Sequence, residues 1–208
     1  MVRHLYIHVP FCHRICPYCS FYKHTFGNIN QSELVDSVLN EISIRAQKLE
    51  LNIETIYLGV PNLSIIAPSR IHDPGAILIS TMTDIMEPTL FIENKLLYTR
   101  FLGIPKDSGF VVSENSAQIP TIRIGNNEAD ITFITYGDSV EFVLTAMKYL
   151  RDEEDLMTEC LVVHQLSPLD KNPLLDAVAN TRRVVIVEEG TIEAGWGAEV
   201  VASLSEIA

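Results

Sequence analysis

The stretch ADITFITYGDSVEFVLTAMKYL, residues 129–150, decides how this chain is read. Its first part, Ile131–Tyr136, is rich in β-branched and aromatic residues and reads as a strand. Val140, Val143, Leu144, Met147 and Leu150 then recur at helical spacing and form one apolar face. A strand followed directly by an amphipathic helix is half of a parallel α/β unit. The residues after it continue the alternation. CLVVHQL (160–166) reads as a strand, Asn172–Asn180 as a short helix, and RVVIVEE (183–189) as another strand. After a glycine loop, Gly197–Ile207 makes a closing helix. The expectation is an α/β fold of parallel-sheet layers.

Moving toward the N-terminus, residues 103–128 carry Gly103, Pro105, Gly109, Pro120 and Gly125 among mixed polar residues. A stretch this long and this poorly periodic predicts a linker. Before it, NLSIIAP reads as a buried strand, and Asp73 is placed to cap a helix beginning at Pro74 and running to about Met86. TLFIE, Thr89–Glu93, is a further strand. The opening residues form a separate pattern. HLYIHV (4–9) is a short strand, Asn30 and Glu33 have capping-box spacing, and Leu34, Val35, Val38, Leu39, Ile42, Ala46 and Leu49 predict a helix over 31–50. TIYLG, Thr55–Gly59, closes a strand–loop–helix–strand unit of parallel type.

The chain has 208 residues, 47% of them hydrophobic, and a formal charge of −12. Such a surface repels phosphate backbones and argues against nucleic acid as a partner. No apolar run has the length of a membrane span, so no membrane partner is expected. The start lacks the apolar core of a secretory signal. The acidic run RDEEDL, Arg151–Leu156, reads as a solvated helix end. With only four cysteines, a disulfide framework is not indicated. Clustered thiols that must stay reduced point to a cytoplasmic location.

Three of those cysteines, Cys12, Cys16 and Cys19, stand in the loop FCHRICPYCSFY. Thiolates are soft ligands that suit zinc or an iron–sulfur cluster. His8, His13 or His24 would complete a four-ligand zinc site, whereas three cysteines alone would leave one iron of a cluster open. Unliganded thiols are the third reading. Elsewhere the plain readings prevail. Cys160 is a small hydrophobe in an apolar strand. His164 is a core or interface histidine rather than a base, and Glu93 a strand-end contact. Glu188-Glu189-Gly190 followed by Gly195-Trp196-Gly197 is a turn packing the last helix rather than an anion site.

Two resemblances divide the chain near residue 60. LYIHVPFCHRICPYCSFY is similar to the opening of radical S-adenosylmethionine enzymes of the oxygen-independent coproporphyrinogen oxidase-like family. That resemblance implies a [4Fe–4S] cluster on Cys12, Cys16 and Cys19, with the backbone of Tyr18 near the adenine of S-adenosylmethionine. It also places Gly59 at the start of a glycine run approaching the cofactor's amino group. Where that family continues the run to Thr-Pro, this chain reads Gly59-Val60-Pro61-Asn62. From Pro61, PNLSIIAPSRIHDPGAILISTMTDIMEPTLFIENKLLYTR resembles the end of the pyrimidine-binding domain of the beta subunit in 2-oxo acid (pyruvate or branched-chain) dehydrogenase complexes. ADITFITYGDSVEFVLTAMKYL, LSPLD and VVIVEEGTIEAGWGAEVVASL resemble the transketolase-like C-terminal domain of the same subunit.

The combined resemblance is chimera-like. It implies a truncated radical-enzyme-like segment at 1–60, the end of a pyrimidine-binding-domain-like segment at 61–102, a linker at 103–128, and a transketolase C-terminal-like three-layer domain at 129–208. It implies subunit association rather than catalysis by this chain alone, and no catalytic residue is assigned. Thiamine diphosphate would be bound only through a partner subunit. The partners implied are a homo- or hetero-oligomer formed through the C-terminal domain, an alpha-type subunit, or an acyltransferase core. At VVHQLSP the beta-subunit family tends to have an acidic residue and an arginine where this chain has Val162 and His164.

Overall fold

The computed structural model describes residues 2–8, 11–12, 24–25, 31–49, 51–59, 63–104, 108–125, 128–190 and 195–205. The chain divides into two compact units, Met1–Asn62 and Leu63–Ala208. In the first, β1 (Val2–His8) and β4 (Leu51–Gly59) pair in parallel, β2 (Phe11–Cys12) pairs with β3 (His24–Thr25), and α1 (Gln31–Lys48) lies between β3 and β4 in sequence. This is the expected strand–loop–helix–strand order. The buried stripe of α1 is narrower than the sequence pattern implies. Leu34, Val38 and Ile42 are half-buried four residues apart, while Val35 and Leu39 are exposed. Asn30, the expected cap, lies outside the described residues.

The second unit holds β5 (Ser64–Ile66), α2 (Pro74–Asp84), β6 (Thr89–Phe91), β7 (Val112–Glu114), β8 (Ile122–Gly125), β9 (Ile131–Thr135), α3 (Val140–Glu154), β10 (Thr158–Val162), β11 (Gln165–Ser167), α4 (Asn172–Thr181), β12 (Val184–Val187) and α5 (Trp196–Ser205). Five strands make one sheet in the order β12-β9-β10-β8-β7. The first three are parallel, and β8 and β7 add on antiparallel. A three-stranded sheet has the order β11-β5-β6.

Side-chain alternation along the central strands builds three layers, since successive strand residues point to opposite faces. Phe133, Cys160 and Val162 join Ile122 and Ile124 against Val140, Val143 and Met147 of α3. Ile134, Leu161 and Val163 face the other way, against Leu174 and Ala177 of α4 and Val200 of α5. The result is α3, sheet, then α4 with α5: the three-layer α/β arrangement expected for the C-terminal part. Asp73 caps α2 as anticipated, its Oδ1 accepting the Gly75 N–H at 2.8 Å, with Pro74 in the first turn. Among the described residues, no helix is long and apolar enough to cross a membrane.

Two expectations are corrected. Residues 103–128 are not a free linker, because β7 and β8 lie within them and pair into the main sheet. These strands are only three and four residues long. Their glycines and prolines mask a pairing that long-range geometry supplies. CLVVHQL is not one strand. The chain leaves the main sheet after Val162, passes Val163 and His164, and enters the second sheet as β11, pairing with β5.

Gly125 ends β8 at φ +125°, where a Cβ would lie 2.6 Å from the Thr158 carbonyl oxygen and 2.8 Å from Glu159 Cα. Both neighbours are backbone of the paired strand and cannot rotate away. Gly125→Ala is therefore expected to lower stability by more than about 2 kcal/mol. Urea unfolding followed by the fluorescence of Trp196, the single tryptophan, checks this; an unshifted midpoint would contradict it.

Candidate functional site

The residues implied as cluster ligands stand in the first unit. Cys12 closes β2, while Cys16, Cys19 and Tyr18 lie outside the described residues, and Gly59 closes β4. Among the described residues, no group of three or more His, Cys, Asp or Glu side chains is placed to hold a metal ion.

In the second unit, polar side chains gather at three places. The first is the carboxyl end of β9 and β12, the edge where open parallel sheets commonly present their functional groups. Tyr136 and Asp138 follow β9, and Glu188 and Glu189 follow β12. The Glu189 carboxyl shares a hydrogen bond with Asp138, which holds it above the ordinary carboxyl range, with partial burial adding to the effect. Burial raises the Tyr136 phenol, and the carboxylates of Glu188, Glu189 and Asp138 raise it further. Glu188 turns inward: its Oε1 accepts the Gly197 N–H at 3.0 Å, near the start of α5. Trp196 meets Tyr136 edge-on at 5.2 Å and donates its indole N–H to the Leu166 carbonyl. The Glu188 carboxylate occupies an N–H at the start of α5, where a negative charge is favoured.

The second place is a buried ion pair in the main sheet. Glu159 is fully buried on β10 and receives Arg123 of β8 at 2.5 Å. Its other oxygen accepts from the Thr132 hydroxyl at 2.7 Å, and Thr132 also meets Thr181 of α4. Every partner lies on the face covered by α4, so the carboxylate leaves water with its bonds replaced.

The third is around His164, which is 0% exposed. Its Nδ1 lies 2.8 Å from the Pro120 carbonyl oxygen and its Nε2 2.9 Å from Ser69 Oγ. A carbonyl only accepts, so Nδ1 carries the proton, and Nε2 accepts from the serine hydroxyl. Burial depresses the His164 pKa to about 4. Although Ser–His at 2.9 Å has the spacing of a nucleophile and its base, Ser69 is also 0% exposed. A carbonyl, not a carboxylate, holds the far nitrogen. No substrate reaches this hydroxyl, so the pair is a structural tie. Sequence reading placed His164 in the core but missed Ser69, which stands 95 residues away and carries no local motif.

Two further expectations hold at side-chain level. Cys160 is fully buried, and desolvation raises its thiol far above the ordinary range, so it is inert. Glu93 accepts a hydrogen bond from the Tyr98 hydroxyl at 2.7 Å, just beyond β6, which is a strand-end contact.

Comparison with known proteins gives the following similarities. Residues 121–208 match the family model described as the transketolase C-terminal domain. The chain is 34% identical over 153 residues to the pyruvate dehydrogenase E1 component subunit beta-1, mitochondrial, of Arabidopsis thaliana, covering 72% of this chain and 40% of that protein. It is 33% identical over 156 residues to the 2-oxoisovalerate dehydrogenase subunit beta of Bacillus subtilis, covering 74% of this chain and 45% of that protein. The chain therefore spans less than half the length of these curated relatives. A solved split-gene transketolase, an inactive beta4 tetramer, shares the fold at a TM-score of 0.51 with 15% identity, over 99% of this chain and 80% of that one.

The buried ion pair yields a direct expectation. Arg123→Met leaves the Glu159 carboxylate without its cation and is expected to cost about 3 kcal/mol. Adding Glu159→Gln should recover much of that loss, because the uncompensated charge is gone. A double-mutant cycle in urea measures the coupling, and additive losses would contradict the pairing.

Proposed function

We propose that this chain acts as a partial beta-type subunit of a thiamine-diphosphate-dependent 2-oxo acid dehydrogenase, contributing to subunit association rather than carrying out catalysis alone. The observation that carries this reading is the similarity to two E1 beta subunits over 72% and 74% of the chain. Exposed apolar side chains support it. Ile79, Met82 and Met86 are 64%, 77% and 87% exposed on and just after α2, and Phe142 and Tyr149 stand out from α3. Apolar surface gathered in this way favours a covering partner. The partner is an alpha-type subunit, another copy of this chain, or an acyltransferase core. Thiamine diphosphate is contributed through the alpha-type partner. The compartment is the cytoplasm.

Light scattering on the purified chain across a concentration series, with and without a co-expressed alpha-type subunit, tests this. Association is expected, and Met82→Glu should weaken it by roughly tenfold or more. A clean monomer at every concentration, with no capture of the alpha-type subunit, would overturn the proposal.

For residues 1–60 the proposal is a cluster-binding segment of radical S-adenosylmethionine type joined to the beta-type part, with Cys12, Cys16 and Cys19 as ligands and Tyr18 and Gly59 near the cofactor. The support is the cysteine spacing alone. Anaerobic reconstitution with iron and sulfide should give a visible charge-transfer absorbance. The triple Cys12→Ala, Cys16→Ala, Cys19→Ala variant should abolish it. No absorbance in the parent chain would remove the cluster from this account.

A further inference from the structure

We propose that His164 is a proton-operated clasp that fastens the β5–α2–β6 block, residues 63–93, to the main sheet, and that mild acid releases this block ahead of the rest of the unit. Everything involved lies within the unit Leu63–Ala208.

Several ties between block and sheet gather on one short segment, 67–72. The Ala67 N–H donates to the His164 carbonyl at 2.8 Å. Ser69 donates its hydroxyl to the His164 ring. Arg70 pairs with Glu141 of α3 and reaches the Gly103 carbonyl. Ile71 enters the core formed by Ile122, Ile124 and Val140. The His72 ring faces Glu114 of β7, Nε2 to Oε2 at 3.5 Å, and sits 6.0 Å from the His164 ring. Beside these run the short β11–β5 ladder, whose register is broken between Gln165 and Ser167, and the apolar packing of Ile66 and Ile77 on Ile119.

Neutral His164 satisfies both partners. Ser69 Oγ accepts the Ile71 N–H at 3.3 Å while giving its own proton to Nε2. A second proton on the imidazole reverses that last bond. Nε2 then donates to Ser69 Oγ, and the serine hydroxyl proton is left in the core with no acceptor. Among the described residues, no carboxylate is bonded to the His164 ring. The charged groups nearest the seam are already committed or of the wrong sign: His72 with Glu114, Arg70 with Glu141, and Asp170 with Asn115. A protonated His72, paired to Glu114, would further oppose charge on His164. In the opened block both the imidazolium and the serine reach water, so the proton binds the open form more tightly than the closed one.

The sign and size follow. His164 is depressed from 6.5 to about 4 in the closed form. The closed form is favoured fully above the higher value and progressively less as the pH falls toward the lower one. Between pH 7 and pH 5 the opening constant should rise by roughly twentyfold.

Native-state amide exchange on the full chain, expressed as protection factors corrected for the intrinsic pH effect, tests this. The Ala67 amide bonds across the seam, whereas the Ile92 amide bonds to Ile66 inside the block. Ala67 should lose protection about twentyfold from pH 7 to pH 5, and Ile92 should change less. In His164→Gln, whose amide cannot titrate, the pH response of Ala67 should vanish. Should that variant fail to fold, an NMR titration of the parent's His164 ring serves instead, and the ring should remain neutral in the closed form at pH 5. Equal protection of Ala67 at both pH values, an unchanged pH response in His164→Gln, or a ring titrating near 6.5 in the closed form would each overturn the proposal.

Discussion

The second unit depends on β9 being covered on both faces. It lies between β12 and β10 in a parallel ladder, with α3 over Phe133 and α4 and α5 over Ile134. A strand in that position is largely withdrawn from water, so its buried polar side chains must find partners inside the protein. Thr132 finds Glu159 and Thr181, and Thr135 gives its hydroxyl proton to the Val187 carbonyl at 2.8 Å. Those bonds tie the central strand to its neighbour strands and to α4. They also fix register, since a one-residue slip would send Thr132 toward the α3 core and Phe133 away from it.

The same alternation explains what the sequence made legible. Helices α2 to α5 and strands β9, β10 and β12 each carry a local signal: a 3.6-residue period, a capping Asp73, or a β-branched run. Each was readable within a few residues. The three-layer arrangement then followed from the order of elements. What was not legible depends on distant partners. Strands β7 and β8 are only three and four residues long and become strands because β10 offers β8 an edge to pair with. The break between β10 and β11 lies inside a continuous apolar run, where nothing local marks a change of sheet. Arg123 and Glu159 stand 36 residues apart, and their pairing has no sequence pattern.

At the level of function, the chemistry-bearing groups of residues 63–208 are largely engaged in holding the unit together. Glu188 caps the start of α5, Glu159 anchors β8 to β10, and His164 joins the block to the sheet. A side chain that satisfies a buried partner is withdrawn from solvent chemistry, and its pKa shift then reports burial rather than a reaction. Cys160 and His164 illustrate this: desolvation moves their pKa values in opposite directions, each toward the neutral form. What the unit offers outward is apolar surface on α2 and α3, which suits an association role.

The seam at residues 67–72 shows why a buried polar tie was placed where an apolar contact would also fit. Ile66, Ala67, Ile71 and Ile77 hold the block by burial, but burial is non-directional and tolerates sliding. The register break in the β11–β5 ladder leaves that pairing little power to fix position. The bonds from His164 to Ser69 and Pro120 have defined lengths and directions, so they select one alignment of block and sheet. That selectivity carries a condition, because it rests on an imidazole that must remain neutral. An arginine at this position would stay charged at all ordinary pH. A permanently charged side chain could not accept the Ser69 proton, so the alignment here depends on histidine and inherits its sensitivity to protons.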